Sequence, residues 1–150
     1  SALPALQKII DRATVSVSAE AVGAMELLLQ KTVEYSKTRK QFGTSIGTFQ
    51  ALQHRMADMF IECQLARSIV VMAAMRLDSA ESDLEKTKAV SAAKSRVGEA
   101  IRKVGQESIQ IHGGIGMTDE LDVGHLFKRV TALDIMFGNA DYHTERFASL

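Results

Sequence analysis

Between Phe49 and Leu77 apolar residues return every three or four positions without a break: Phe49, Leu52, Met56, Met59, Cys63, Ala66, Val70, Ala73 and Leu77. That period lines one face of a helix and fits no strand, whose faces alternate by two. At 1.5 Å rise per residue the stripe predicts a rod of ~43 Å. The only proline is Pro4, so long helices are allowed after it. Aromatic residues are 5% of the chain, and Ala, Leu, Val and Met are left to do the packing, which favours helices over sheets.

Two further stripes flank the first. Leu6, Ile10, Ala13, Val17, Ala21, Ala24, Leu28 and Tyr35 predict an earlier helix; Val90, Val97, Ile101, Val104 and Ile111 predict a later one. Ser82 followed by Glu85 resembles a capping box, which starts the third helix near Ser82. Gly43-Thr44-Ser45-Ile46-Gly47, Asp78-Ser79-Ala80-Glu81 and Gly113-Gly114-Ile115-Gly116 supply the breaks. A fourth helix is expected from Thr118 to about Phe137, capped by Thr118 or Asp119 and stopped by Gly138-Asn139. Residues 140–150 form a short fifth. The expected fold is all-α: an up-down four-helix bundle with a short extra C-terminal helix.

At 150 residues the chain is one domain's worth, long enough for its own core. Apolar residues are 46% and charged residues 24%, ordinary globular values that argue against a disordered chain. Lys+Arg and Asp+Glu are 18 each, which leaves no broad basic field for nucleic acid. One cysteine excludes an internal disulfide framework and points to a reducing compartment: cytoplasm, or mitochondrial matrix in a eukaryote. No apolar run of about 18 residues and no basic-then-apolar leader is visible, so neither a membrane span nor a secretory signal is expected. A start at Ser1 rather than Met suits a processed or excised chain.

Metal binding is not expected. No Glu lies three residues before any of the four histidines, and His-x-x-x-His is absent. Most of the seven methionines lie on the long helix and read as packing. Two loops carry an alternative. Gly113-Gly114-Ile115-Gly116 is either a helix stop or a place where backbone comes close to a phosphate or ring. Thr38-Arg39-Lys40-Gln41-Phe42-Gly43 is either a basic helix end or a guanidinium offered to an oxyanion.

Together these loops carry a resemblance. Arg39-Lys40-Gln41-Phe42-Gly43 with Ile46-Gly47-Thr48-Phe49-Gln50 resembles the R-x-x-F-G…I…F-Q signature of acyl-CoA dehydrogenases. Gln110-Ile111-His112-Gly113-Gly114-Ile115-Gly116-Met117 is similar to that family's Q-x-x-G-G-x-G-[FYM] loop. The resemblance runs from about Leu6 to Phe147. It implies the C-terminal helical bundle of a longer flavoprotein, without the N-terminal helical and middle β domains. It implies α,β-dehydrogenation of an acyl-CoA thioester in fatty-acid metabolism, FAD as cofactor, electron-transfer flavoprotein as acceptor, and a homo- or hetero-oligomer. By the same resemblance Arg39 meets the FAD pyrophosphate, Gln41, Phe42 and Gln50 lie around the cofactor, and Gln110, Gly113 and Gly114 run along its nucleotide portion.

The family's catalytic glutamate is missing. Its position after the fourth helix matches Gly138, and its alternative position on the first helix matches Ala13, with Thr14 in place of the neighbouring arginine. Three readings stay open. Asp141, Glu20 or Asp11 is a substitute base; a partner subunit supplies the base; or the ligand undergoes another reaction. The segment from His112 to Gly138 resembles the small subunit of pimeloyl-CoA-type dehydrogenases, which suits a heteromer. The alternative function is a non-catalytic assembly subunit that completes a partner's FAD site. The 150 residues alone are expected to be inactive.

Overall fold

The computed structural model describes residues 2–150. Three long helices, α1 (Leu3–Thr38), α2 (Gln50–Leu77) and α3 (Asp83–His112), are followed by α4 (Val123–Ile135) and α5 (Ala140–Ser149). α3 is the central element and packs against each of the others. This is the expected bundle with its extra C-terminal helix. Among the described residues no helix is long and apolar enough to cross a membrane.

The α2 stripe faces inward as its period requires. Met59, Cys63, Ala66, Val70 and Ala73 are buried, with Leu52, Met56 and Leu77 packed at the edge. Burial pushes the Cys63 thiol up to about 12, which leaves it an inert packing group. The α3 stripe is buried throughout.

The α1 stripe is rotated from its expected position. Val17, Ala21 and Leu28 are buried, but Leu6 is half exposed, and Ile10, Ala13, Ala24 and Tyr35 are only partly covered. The buried face also takes in Thr14, Ser18, Thr32 and Ser36. Each hydroxyl donates to a carbonyl about one turn back: Thr14 to Ile10 (2.8 Å), Ser18 to Thr14 (2.7 Å), Thr32 to Leu28 (2.7 Å) and Ser36 to Val33 (2.7 Å). A satisfied hydroxyl is small and nearly apolar in effect, so these positions pack as core.

The connections hold two departures from expectation. The break after α1 contains a two-stranded hairpin, β1 (Lys40–Gln41) and β2 (Thr44–Ser45), in an otherwise helical fold. The fourth helix starts at Val123 rather than Thr118. Residues Gly113–Met117 form a 3-10 turn, and Thr118 donates its hydroxyl to Ile115 O (2.8 Å) at the end of that turn. Neither Thr118 nor Asp119 caps α4; Asp122 precedes it without a side-chain bond. Ser82 caps α3 as expected, accepting from Glu85 N–H at 3.3 Å. The Glu85 carboxylate turns instead toward Arg76, 3.8 Å away.

Candidate functional site

The two glycine-bounded loops meet at one end of the bundle. Arg39 leaves α1 in an extended conformation, with its N–H on Tyr35 O (2.8 Å). Its own carbonyl accepts from Ile46 N–H at 2.8 Å, so hairpin and helix end are tied together. Phe42 (φ 55°) and Gly43 (φ 79°) make the two-residue turn between Gln41 and Thr44. Positive φ at both central positions is what a tight hairpin needs. Across from it α3 ends at His112. Tyr35 stacks on that ring (centroids 4.4 Å apart) and donates its hydroxyl to His112 O (3.3 Å).

Between these roots lies an open cleft of about 460 Å³ whose lining includes Arg39, Gln41, Gly113 and Gly114, together with Tyr35 and His112. Arg39 is exposed, and no carboxylate pairs with it among the described residues. Gly113 has φ 66°, so the chain itself requires glycine there. Gly114 differs. Its φ is ordinary, and a Cβ would meet nothing within 4 Å. Nothing inside the chain demands glycine at 114, which leaves room for an outside group. Gly116 is the opposite case, with a Cβ position 2.9 Å from His112 Cβ. An unpaired guanidinium beside side-chain-free backbone fits the pyrophosphate of a dinucleotide such as FAD.

The other sequence-predicted residues lie outside the cleft lining. Phe42 is 91% exposed at the hairpin tip, edge-on to Phe49 at 6.1 Å. Gln50 is the exposed first residue of α2, and Gln110 is exposed on the last turn of α3. Sequence reasoning missed Tyr35 and His112 as cleft residues. The α1 period puts Tyr35 on the core stripe, and no spacing rule joins residues 77 apart.

A second region is the α4–α5 corner, which turns through Phe137 (φ 59°) and Gly138 (φ 95°). α3 holds it from below with Ser91, Lys94 and Gly98, all on one helical face. Lys94 is fully buried and donates Nζ to Leu133 O (2.8 Å) and Asp134 O (2.7 Å). These are late carbonyls of α4 that have no helical partner. Burial lowers the Lys94 pKa, against a smaller opposing pull from Asp134. A side chain at Gly98 would run into Ala140 Cβ at 2.7 Å. His143 is buried with Nε2 2.9 Å from Phe137 O and Nδ1 3.3 Å from Ser91 Oγ. A carbonyl only accepts, so Nε2 carries the proton and Nδ1 takes the serine hydroxyl.

The three candidate carboxylates have different surroundings. Asp11 is buried and accepts from Arg146 (2.9 Å), Thr87 (2.9 Å) and Gln7 (3.0 Å). Through these bonds it ties α1 to α3 and α5. Glu20 is bound by Arg129 at 2.6 Å, which holds its carboxyl below the usual range and makes it a poor base. Asp141 is exposed in the first turn of α5 and is unpaired among the described residues.

Residues 3–149 match the family model described as acyl-CoA dehydrogenase, C-terminal domain. The chain is 42% identical over 121 residues to the acyl-CoA dehydrogenase IpdE2 of Mycobacterium tuberculosis, covering 81% of this chain and 36% of that protein. Among solved structures it is similar to the ChsE4-ChsE5 complex from Mycobacterium tuberculosis (TM-score 0.87, 29% identity, 93% of this chain and 37% of that one). It is also similar to butyryl-CoA dehydrogenase from Megasphaera elsdenii (TM-score 0.87, 28% identity, 93% and 36%). The chain thus spans about a third of the length of the curated relatives it matches.

Proposed function

Because this chain belongs to the acyl-CoA dehydrogenase family, as its C-terminal domain, we propose that it serves an FAD-dependent dehydrogenase of acyl-CoA thioesters and takes its catalytic base from another subunit. The observation that carries this reading is the pairing of two features. The cleft sets the unpaired Arg39 beside the side-chain-free Gly113-Gly114 backbone, and the corner where the family resemblance puts the base has only Gly138.

The chain's own residues have defined tasks. Arg39 neutralises pyrophosphate charge with a guanidinium fork. Gly113 and Gly114 let backbone N–H groups come close to the nucleotide. Gln41 lines the same cleft, while Phe42, Gln50 and Gln110 reach the cofactor from the exposed edges of the loops. When bound, FAD supplies the hydride acceptor of this chemistry. The α-proton goes to a carboxylate contributed by the partner; Asp141 is the one candidate on this chain that is free to compete for it. The likeness to the ChsE4-ChsE5 complex supports a hetero-oligomer. Electron-transfer flavoprotein is the proposed electron acceptor, and cytoplasm or mitochondrial matrix the proposed compartment. The 150 residues alone are proposed to be inactive and to lack a stably held flavin, because most cofactor contacts lie in other domains.

The absence of a side chain at 138 favours a second reading, in which the chain is a non-catalytic assembly subunit that only completes a partner's FAD site. Replacing Arg39 with Ala in the assembled full-length parent tests the cofactor role shared by both. The expected result is loss of FAD with the subunits still associated. Unchanged FAD content overturns it.

A further inference from the structure

Gly138 is closed to a side chain on two counts. Its φ of 95° is a conformation that side-chain-bearing residues rarely adopt, so any substitution there is strained. A Cβ built there would stand 2.9 Å from Tyr142 Cε1 and 3.0 Å from Tyr142 Cγ, with Cδ1 closer still. These atoms are the near edge of the ring, so moving the phenol tip gives no relief. The Tyr142 ring is half exposed and lies edge-on to His143 at 5.0 Å, while the backbone N–H of Tyr142 donates to Asn139 Oδ1 (3.0 Å) in the α5 cap. Behind it, His143 grips Phe137 O and Lys94 grips the end of α4. We propose that Tyr142 stands where a side chain at 138 would go and seals this corner against a carboxylate, so that no single substitution restores a base there. The catalytic meaning of position 138 rests on the function proposed above; the packing does not.

The test uses the full-length, FAD-loaded parent with Gly138→Ala, Gly138→Glu and Tyr142→Ala, singly and combined. Two quantities are read: Tm, and bleaching of flavin absorbance by acyl-CoA thioesters without oxygen and without a partner subunit. Gly138→Ala is expected to lower Tm by about 4 °C or more with Tyr142 present, and by less than about half as much beside Tyr142→Ala. Gly138→Glu alone is expected to bleach no faster than the parent, and the Gly138→Glu/Tyr142→Ala pair about tenfold faster. Equal Tm losses in both backgrounds overturn the proposal, as does bleaching by Gly138→Glu alone. Coupled Tm losses with no bleaching by any variant, even after a partner subunit is added, support the seal and contradict the dehydrogenase reading instead. If the partnered parent bleaches but the double variant gains nothing, the seal is overturned as the obstacle to a base.

Discussion

Gly113 and Gly114 are neighbours with different reasons to be glycine, and that difference is testable. Gly113→Ala places a side chain at φ 66° and is expected to destabilise by about 1–3 kcal/mol in urea unfolding. Gly114→Ala meets open space and is expected to stay within about 0.5 kcal/mol. In the full-length parent the order reverses: Gly114→Ala is expected to lower FAD content while leaving the fold intact. If Gly114→Ala costs as much stability as Gly113→Ala, position 114 does not face open space. At this scale the sequence was informative about residue type and weak about neighbours. The R-x-x-F-G and Q-x-x-G-G segments marked Arg39, Gln41, Gly113 and Gly114, which the fold gathers in one cleft. Nothing in the sequence said that Tyr35 and His112 stack between them, or that Asp11 is consumed by Arg146.

Among elements, the α4–α5 corner depends on two buried ionisable side chains, Lys94 and His143. Lys94 falls between Val90 and Val97 at the spacing of the α3 stripe, so the helix period turns it inward, but nothing in that period names what it binds. Its role appears only when the end of α4 lies above it. Lys94→Met leaves two carbonyls without a donor and is expected to cost about 2–4 kcal/mol in urea unfolding. A loss below about 0.5 kcal/mol would show that water replaces the ammonium. His143 gives the corner a pH dependence. Burial lowers its pKa below the ordinary value of about 6.5, and the charges of Arg146 and Lys94 lower it further. Phe137 O and, more weakly, Asp11 act the other way. The unfolded chain therefore binds the proton more readily than the folded one. The stability from neutral His143 is complete above about pH 6.5 and falls as pH drops below it. Tm measured from pH 7.5 to 5.5 is expected to decline, and His143→Gln to flatten that decline. Parallel profiles would contradict it. Helix existence was legible throughout, because periods of three and four survive in α2 and α3. Two features were not. The buried face of α1 turned because hydroxyls bonded to their own helix pack like apolar groups. The start of α4 moved because residues 113–117 wound into a 3-10 turn that has no hydrophobic signature.

At the scale of the whole molecule, the bundle presents two candidate regions, the Arg39 cleft and the α4–α5 corner. α3 runs between them, and its glycines set how closely the shorter helices approach. A Cβ at Gly105 would lie 2.9 Å from Phe127 Cδ2, and one at Gly98 would push into Ala140. α2 keeps Phe60, Ile61, Leu65, Val71 and Met75 exposed on its outer side, an apolar surface that a further domain or subunit would cover. The isolated 150 residues are therefore expected to self-associate in sedimentation velocity as concentration rises, and a strict monomer at high concentration would contradict this. The claim that joins both regions is that the chain holds FAD through one and carries no base at the other. Its most direct test is to purify the full-length parent alone, load it with FAD, and add acyl-CoA thioesters without oxygen. Flavin absorbance is predicted to persist with the parent alone and to bleach once a partner subunit is added. Bleaching of the parent alone would contradict the account and make Asp141 the first residue to replace.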